Sequence, residues 1–161
     1  MDPVKLVEEL RSLPGRLPED DRYWADRIRP QLPAAPFSTA FLEDLLAPLD
    51  PLRQADVLEF LARLGRKEIA EAAAARIQWA GGGAKLCLGA ALIACGDKRG
   101  YAALEELYRH SLDFPEDKAG SVPLGWIVDD TLLGEFKRDA TAMALRLRLI
   151  ALQRQRGARR S

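Results

Sequence analysis

The sequence predicts an all-α fold, a short α-solenoid of antiparallel helical hairpins with no sheet, and two observations lead to this prediction. Alanine, leucine, arginine and glutamate dominate the 161 residues, whereas runs of Val, Ile and Thr, which favour strands, are missing. Two helix pairs also repeat with a period of 31 residues, since Gly65 and Gly96 each end the first helix of a pair and Leu61 matches Leu92 at the same offset. A period near 30 residues, built from two short helices, is typical of an α-solenoid.

Length and composition fit one globular domain. Hydrophobic residues make up 48% and charged residues 30% of the chain, which is ordinary for a folded protein in water. The first residues lack the uninterrupted apolar core of a signal peptide, and no window approaches the ~18 apolar residues of a membrane span. We therefore expect a cytoplasmic protein with no membrane partner.

Residues 1–49 are expected to form an N-terminal helical cap. Asp2-Pro3 is a helix start, because aspartate caps free N–H groups and proline suits the first turn of a helix. A second short helix follows Pro18, and Ser38 caps a third. Three prolines in residues 30–36 predict an extended connector between the second and third helices.

Residues 50–155 are expected to carry the helical repeats. The first pair begins at Asp50-Pro51, which repeats the start signal of the chain. An apolar stripe predicts a helix over residues 52–65, and its alanine-rich partner spans residues 67–79. Alanine allows close helix packing, so the partner helix is expected to be covered on more than one side.

The second pair turns sharply between its two helices, which span residues 84–95 and 98–112. Gly96 can adopt the left-handed conformation that ends a helix, and Asp97 can cap the helix that follows. Because no linker separates the two helices, they must fold back on each other as an antiparallel pair.

The remaining part of the chain is less regular. Residues 113–120 interrupt the pattern, and a further helix is predicted over residues 121–134. The last and longest helix spans about residues 137–155, and residues 156–161 are expected to form a flexible basic tail.

The stretch Ala91-Leu-Ile-Ala-Cys-Gly-Asp-Lys-Arg-Gly-Tyr-Ala-Ala-Leu104 resembles the HEAT-like repeat family, especially its bacterial short-repeat form. In this stretch an apolar helix end meets Gly-Asp, a basic pair and a second helix rich in alanine and leucine. The resemblance covers about residues 50–155 and is clear over residues 58–108. It implies a right-handed stack of helical hairpins, an architecture used to bind other macromolecules.

The two cysteines are predicted to be reduced. Cys87 and Cys95 lie eight residues apart in one predicted helix, which separates them by ~12 Å along its axis and prevents a disulfide. Cys95 occupies the repeat position of Leu64, so we expect it inside the interface of the repeat pair.

Residue types that carry catalysis or bind metals are sparse. His110 is the single histidine, and neither cysteine belongs to a CxxC motif. The run Gly81-Gly82-Gly83 lacks the spacing and the Lys-Ser/Thr ending of a phosphate-binding loop. We therefore expect no metal and no cofactor, and we predict no catalytic residue.

Asp129 and Asp130 lie among apolar residues and are candidates for a groove site. Such a site would combine them with Trp126 as an aromatic wall and with Arg146 and Arg148 as anion-binding groups. The alternative is a structural ion pair between one carboxylate and one arginine of the neighbouring helix. HEAT-like DNA glycosylases use Trp, Asp and Arg on a concave face, which extends the site hypothesis to a glycosylase-like activity.

Charge is unevenly distributed along the chain. Residues 1–60 contain 12 acidic and 7 basic residues, whereas residues 137–161 contain 1 acidic and 8 basic residues. The basic patch predicted at the C-terminal end comprises Arg154, Arg156, Arg159 and Arg160. Arginine clusters suit phosphate groups, although this chain prefers arginine over lysine throughout, 18 to 6.

The leading functional hypothesis is a non-enzymatic protein–protein interaction module, which presents a helical-repeat groove to another protein. The first alternative is a nucleic-acid-binding HEAT-like protein that uses the arginine-rich C-terminal helix. The second alternative is an enzyme of unrecognised type.

Overall fold

The computed structural model describes residues 2–18 and 20–160. Helices joined by turns and loops make up the fold of these residues. For residues 159 and 160 the description covers the backbone alone. Within these ranges the regular structure consists of eight α-helices, one π-helix and two 3₁₀ turns, without a strand. The predicted all-α class is therefore confirmed. No helix in the described ranges combines the length and the apolar character needed to cross a membrane.

Three short helices form the N-terminal part. They are α1 (Pro3–Arg11), α2 (Tyr23–Ile28) and α3 (Thr39–Leu46). Asp2 caps α1 and Ser38 caps α3, each through side-chain hydrogen bonds from backbone N–H groups of the first turn. The helix starts predicted at these two residues are confirmed.

The proline-rich connector is not extended from its first residue. Arg29–Gln31 forms a 3₁₀ turn that continues α2, and the backbone becomes extended only at Leu32. Pro30 fits this turn because its fixed φ angle is helical and its missing N–H is not needed at the start of a turn. The prediction of an extended segment over residues 30–36 is therefore wrong for its first two residues.

Four helices follow and make up the middle of the fold. They are α4 (Pro51–Arg63), α5 (Ala70–Ile77), α6 (Gly82–Ala94) and α7 (Arg99–Asp113), with a 3₁₀ turn at Lys67–Ile69 ahead of α5. Asp50 caps α4 through a 2.9 Å hydrogen bond that its carboxylate accepts from a backbone N–H of the first turn.

The turns after α4 and α6 have the same conformation. Gly65 and Gly96 adopt positive φ angles of 89° and 76°. In each turn the N–H of the residue after the glycine donates to the C=O five positions earlier, at 3.1 Å and 2.9 Å. This is the Schellman arrangement, for which glycine is favoured because it has no Cβ. The repeat found in the sequence therefore has a counterpart in these two turns.

Helix α6 lies between two hydrophobic cores. Leu88 and Leu92 belong to a core shared with α1, α3 and α4. Leu86 and Ile93 belong to a second core, shared with α7 and the C-terminal helices. A helix that is apolar on all sides must be buried, and α6 is buried along most of its length.

Helices α6 and α7 approach each other closely where two glycines face one another. A Cβ atom added to Gly100 would lie 2.5 Å from the carbonyl oxygen of Gly89 and 2.9 Å from the backbone nitrogen of Ile93. The two backbones are therefore in contact at a point where no other residue type fits without displacement.

The helix predicted over residues 121–134 is a π-helix at Trp126–Glu135. The N–H of Phe136 donates to the C=O of Thr131 at 3.2 Å, and the Thr131 hydroxyl donates to the C=O of Trp126 at 2.8 Å. The hydrogen bond from the Thr131 hydroxyl reinforces the wider turn of the π-helix. The spacing of apolar residues in the sequence does not distinguish a π-helix from an α-helix. Long π-helices are rare and frequently occur at functional sites.

The last helix, α8, spans Ala140–Arg160 and differs at both ends from the prediction. Asp139 accepts hydrogen bonds from the N–H groups of Thr141 and Ala142, which sets the start three residues later than expected. Residues 156–160 continue the helix and do not form a tail, because arginine favours helix and the single Gly157 does not end it. Residue 161 lies outside the described ranges.

Candidate functional site

The five groove residues predicted from the sequence do not share one site. Arg146 pairs with Asp129, with 3.2 Å between Nη2 and Oδ1, and its Nε donates to the C=O of Val128 at 2.7 Å. These contacts connect α8 to the π-helix. This is the structural ion pair that the sequence analysis gives as the alternative to a site.

The other three predicted residues have different surroundings. Trp126 is 47% exposed and lines an apolar groove. Asp130 borders a shallow cleft beside Arg16. Arg148 forms an ion pair with Glu105. Of the five predicted residues, the structure therefore brings Arg146 and Asp129 into direct contact, whereas Trp126, Asp130 and Arg148 each border or contact a different feature.

The basic patch is partly neutralised by ion pairs. Within the patch Arg156 pairs with Asp113, and earlier on the same helix Arg146 and Arg148 also have acidic partners. Arg154 is exposed, and no ion pair to it occurs among the residues whose side chains are described. The side chains of Arg159 and Arg160 lie outside the description. The phosphate-binding capacity of this helix is therefore smaller than its sequence indicates.

A charged cluster that the sequence analysis does not predict joins three distant parts of the chain. It consists of Arg16, Glu59, Arg63 and Glu135, which come from the turn after α1, from α4 and from the end of the π-helix. The Arg16 Nε lies 2.9 Å and 3.1 Å from the two carboxylate oxygens of Glu59, and its Nη2 lies 3.0 Å from Oε1 of Glu135. Arg63 contacts the same two glutamates.

The cluster is buried and its charges balance. Glu59 is 2% exposed. Burial disfavours the charge of Arg16, but the attraction of Glu59 outweighs burial and raises the pKa of Arg16 above its ordinary value. Because both oxygens of Glu59 are occupied by a guanidinium, this carboxylate is not free to act as a general base. The geometry fits a clamp that stabilises the fold.

A second buried carboxylate lies one turn earlier on α4. Asp56 accepts a 3.6 Å hydrogen bond from the thiol of Cys87 and lies 3.8 Å from Nη1 of Arg53. Burial raises the pKa of Asp56 above its ordinary value, and burial likewise raises the pKa of Cys87. A thiol in these surroundings is protonated and unreactive at neutral pH.

Both cysteines have free thiols. Cys95 is half-buried and packs against the first core, and burial raises its pKa to about 11. The cysteines therefore serve in packing.

Thiol labelling with an aqueous disulfide reagent at pH 8 is expected to be slow for the native protein. Cys95 should react on the order of a hundredfold more slowly than a free cysteine, because the thiolate is the reactive form. Cys87 should react only as the protein unfolds. The same reagent in denaturant should label both thiols at once, and rapid labelling of both in the native protein would contradict the assignment.

An apolar groove of about 740 Å³ opens beside the loop of residues 114–123. The beginnings of α4 and α6, the last turn of α7 and the beginning of the π-helix all contribute to it. Its lining residues are Leu52, Gly83, Ser111, Leu112, Pro115, Asp117, Lys118, Ser121, Val122, Pro123, Leu124 and Trp126. A volume of this size and an apolar lining are typical of binding sites.

A smaller depression of about 370 Å³ adjoins the groove and shares Asp117 with it. Trp79 forms part of its wall. Lys85 lies inside it and pairs with Glu106, with 3.0 Å between Nζ and Oε1. His110 lies 2.8 Å from Asp117, measured from Nε2 to Oδ2, and this hydrogen bond lowers the pKa of Asp117.

The loop between the two depressions is held in place by hydrogen bonds. The N–H of Gly82 donates to the C=O of Gly120 at 3.1 Å. The N–H of Val122 donates to the hydroxyl of Ser111 at 3.0 Å. Both depressions are therefore preformed and do not depend on a movement of the loop.

Three aromatic side chains are exposed around the two depressions. Trp79 is 84% and Phe114 58% exposed, and Trp126 completes the set. We call these three residues, together with the lining of the groove and of the smaller depression, the aromatic face. Exposed aromatic side chains beside such depressions are typical of interaction sites.

No protein-family model, curated protein or solved structure matches this chain. Nor do the described residues include a group of three or more His, Cys, Asp or Glu side chains that could hold a metal ion. Trp126 is a candidate from the sequence, but the sequence carries no signal for the groove, because the lining comes from three separate stretches of the chain: Leu52, Gly83 and residues 111–126.

Proposed function

We propose that this protein is a non-enzymatic interaction module that binds a segment of a partner protein at the aromatic face. The observation that carries the proposal is the exposure of Trp79, Phe114 and Trp126 around two adjoining, preformed depressions. Tryptophan is enriched at protein interfaces, where one large ring buries much apolar area. In the free protein the apolar area of these rings is exposed to water, and binding of a partner would bury it.

The proposed architecture is a short HEAT-like stack of helical hairpins, in which α4 with α5 and α6 with α7 are successive repeats. The similar turns at Gly65 and Gly96 support it, as does the extensive packing of α6 against α4, α5 and α7, whereas α4 and α5 contact each other only slightly. In such a stack the ends of successive helices lie side by side, which accounts for a groove built from the starts of α4 and α6.

A rigid groove favours binding of a short segment. The loop of residues 114–123 is fixed by its hydrogen bonds, so little conformational entropy is lost when the partner binds. An apolar side chain of the partner would contact Leu52, Leu112 and Trp126, and its burial would supply most of the binding free energy.

The test compares two double variants of the full chain. The protein is first used to capture its partner from the native host, and the partner is identified by mass spectrometry and purified. Trp79→Ala with Trp126→Ala should weaken the partner's affinity about 30-fold or more in calorimetry, as truncation of interface tryptophans does. Tyr23→Ala with Leu147→Ala changes two exposed apolar residues that line neither depression, and it should leave the affinity unchanged.

Equal affinities of the two double variants for the purified partner would contradict the proposal. Both variants should keep the helical circular dichroism of the parent, since all four side chains are exposed. A loss confined to the Tyr23 and Leu147 variant would place the interface elsewhere.

Nucleic-acid binding is expected to be absent at physiological salt. Ion pairs already engage Arg146, Arg148 and Arg156, which reduces the number of phosphates that α8 can neutralise. A mobility-shift titration with duplex DNA over a salt series measures this, because each phosphate contact contributes about −0.9 to the log–log slope. Binding that persists at physiological salt, and is lost on replacing Arg154, Arg156, Arg159 and Arg160 by glutamine, would favour the nucleic-acid alternative.

A further inference from the structure

The ammonium group of Lys85 lines the smaller depression and pairs with a single carboxylate within the described part of the chain. Its side chain is 9% exposed, although it carries a full charge. An ammonium has three N–H donors, and within the described part of the chain its one acceptor is Oε1 of Glu106, at 3.0 Å. Burial of a charged group is costly unless its hydrogen bonds are satisfied, so the depression favours a further acceptor.

The present counter-ion of Lys85 is weakly held. The Glu106 side chain is 74% exposed, and an ion pair to such a carboxylate contributes little because water competes for it. Asp117 is committed elsewhere, because it pairs with His110 and accepts a 3.1 Å hydrogen bond from the N–H of Gly120. Another carboxylate can therefore displace that of Glu106, whereas the buried side chain of Lys85 stays in the depression.

We propose that the smaller depression receives an acidic side chain of the partner segment, whose carboxylate binds Lys85 while an apolar side chain of the same segment fills the groove. This inference rests on the proposed function and names the chemistry of the partner. The two depressions adjoin at Asp117, so a single segment reaches both. The acidic group gives specificity, and the apolar group gives most of the affinity.

The surroundings of Lys85 favour a carboxylate over a neutral group. Helix α6 begins beside it, at Gly81 in the wall of the depression, and the start of a helix carries partial positive charge. The exposed indole of Trp79 borders the same depression. At about 370 Å³ the space is large enough to admit a side chain of a partner.

The probe is a library of random 12-residue peptides displayed on phage and selected on the full-length protein. We expect enriched peptides to combine apolar residues with an aspartate or a glutamate. An enriched peptide is then synthesised together with a counterpart in which the acid is replaced by its amide. The acidic peptide should bind about tenfold more tightly, as is typical of a charge-assisted hydrogen bond.

Three variants locate the effect. Lys85→Met should abolish the difference between the two peptides, since methionine keeps most of the length of the side chain without its charge. Lys98→Met changes an exposed residue just before α7, at the end of that helix away from the smaller depression. This variant should preserve the tenfold difference. Glu106→Gln changes an exposed residue and should tighten the acidic peptide several-fold, because it removes the competing carboxylate.

The outcomes separate this inference from the proposed function. Peptides that are apolar without an acid, or an acidic preference that survives Lys85→Met, overturn the inference and leave the proposed function standing. Should Lys85→Met fail to fold, Glu106→Gln decides, and unchanged or weaker binding of the acidic peptide to it overturns the inference. The absence of any peptide whose binding depends on Trp79 and Trp126 overturns both.

Discussion

Replacement of Gly100 by alanine is expected to lower the free energy of unfolding by about 3 kcal/mol. The new Cβ would lie 2.5 Å from the carbonyl oxygen of Gly89 and 2.9 Å from the backbone nitrogen of Ile93, so α6 and α7 must move apart. Their separation would loosen both cores, because α6 contributes side chains to each. In thermal unfolding the midpoint should fall by about 6–12 °C for a chain of this size.

Gly157→Ala is the matched control for this substitution. No atom lies within 4 Å of the Cβ that alanine would add there. Alanine should therefore stabilise α8 by up to about 1 kcal/mol through its higher helix propensity. Equal effects of the two substitutions would show that α6 and α7 do not pack as closely as described.

Replacement of Glu59 by alanine is expected to lower the free energy of unfolding by about 3 kcal/mol. The substitution leaves Arg16 and Arg63 with one shared carboxylate, that of Glu135, although both guanidiniums are largely buried. It also detaches the turn after α1 from α4. Urea unfolding followed by circular dichroism measures the loss.

Glu43→Ala serves as the control for the loss of a carboxylate. Glu43 lies 3.0 Å from Arg76, but its side chain is more than half exposed, so the substitution should cost less than about 1 kcal/mol. A loss of the same size at both positions would mean that the charged cluster is not the clamp inferred from its geometry.

Local signals in the sequence predict much of the secondary structure. Caps and turns depend on one or two neighbouring residues, so Asp2, Ser38, Asp50 and Gly96 identify helix ends without knowledge of the fold. The apolar spacing likewise predicts the helices themselves. The π-helix is not predicted, because the hydroxyl bond of Thr131 that reinforces it depends on the wider turn already being present.

Local signals in the sequence do not predict the charged cluster or the groove. Arg16, Glu59 and Glu135 form a cluster only after three distant segments pack together. The groove is likewise assembled from the ends of separate helices. Trp126 is recognised in the sequence as unusual, but no local signal indicates that it lines a groove together with Leu52 and Leu112.

Hydrogen–deuterium exchange of the complex with the purified partner tests the central claim most directly. Binding at the aromatic face should slow exchange in residues 78–86 and 110–126, which carry most of its lining. The exposed surface of α8 from residue 144 onwards should exchange as in the free protein. Protection confined to α8, with no change around the groove, would contradict the account.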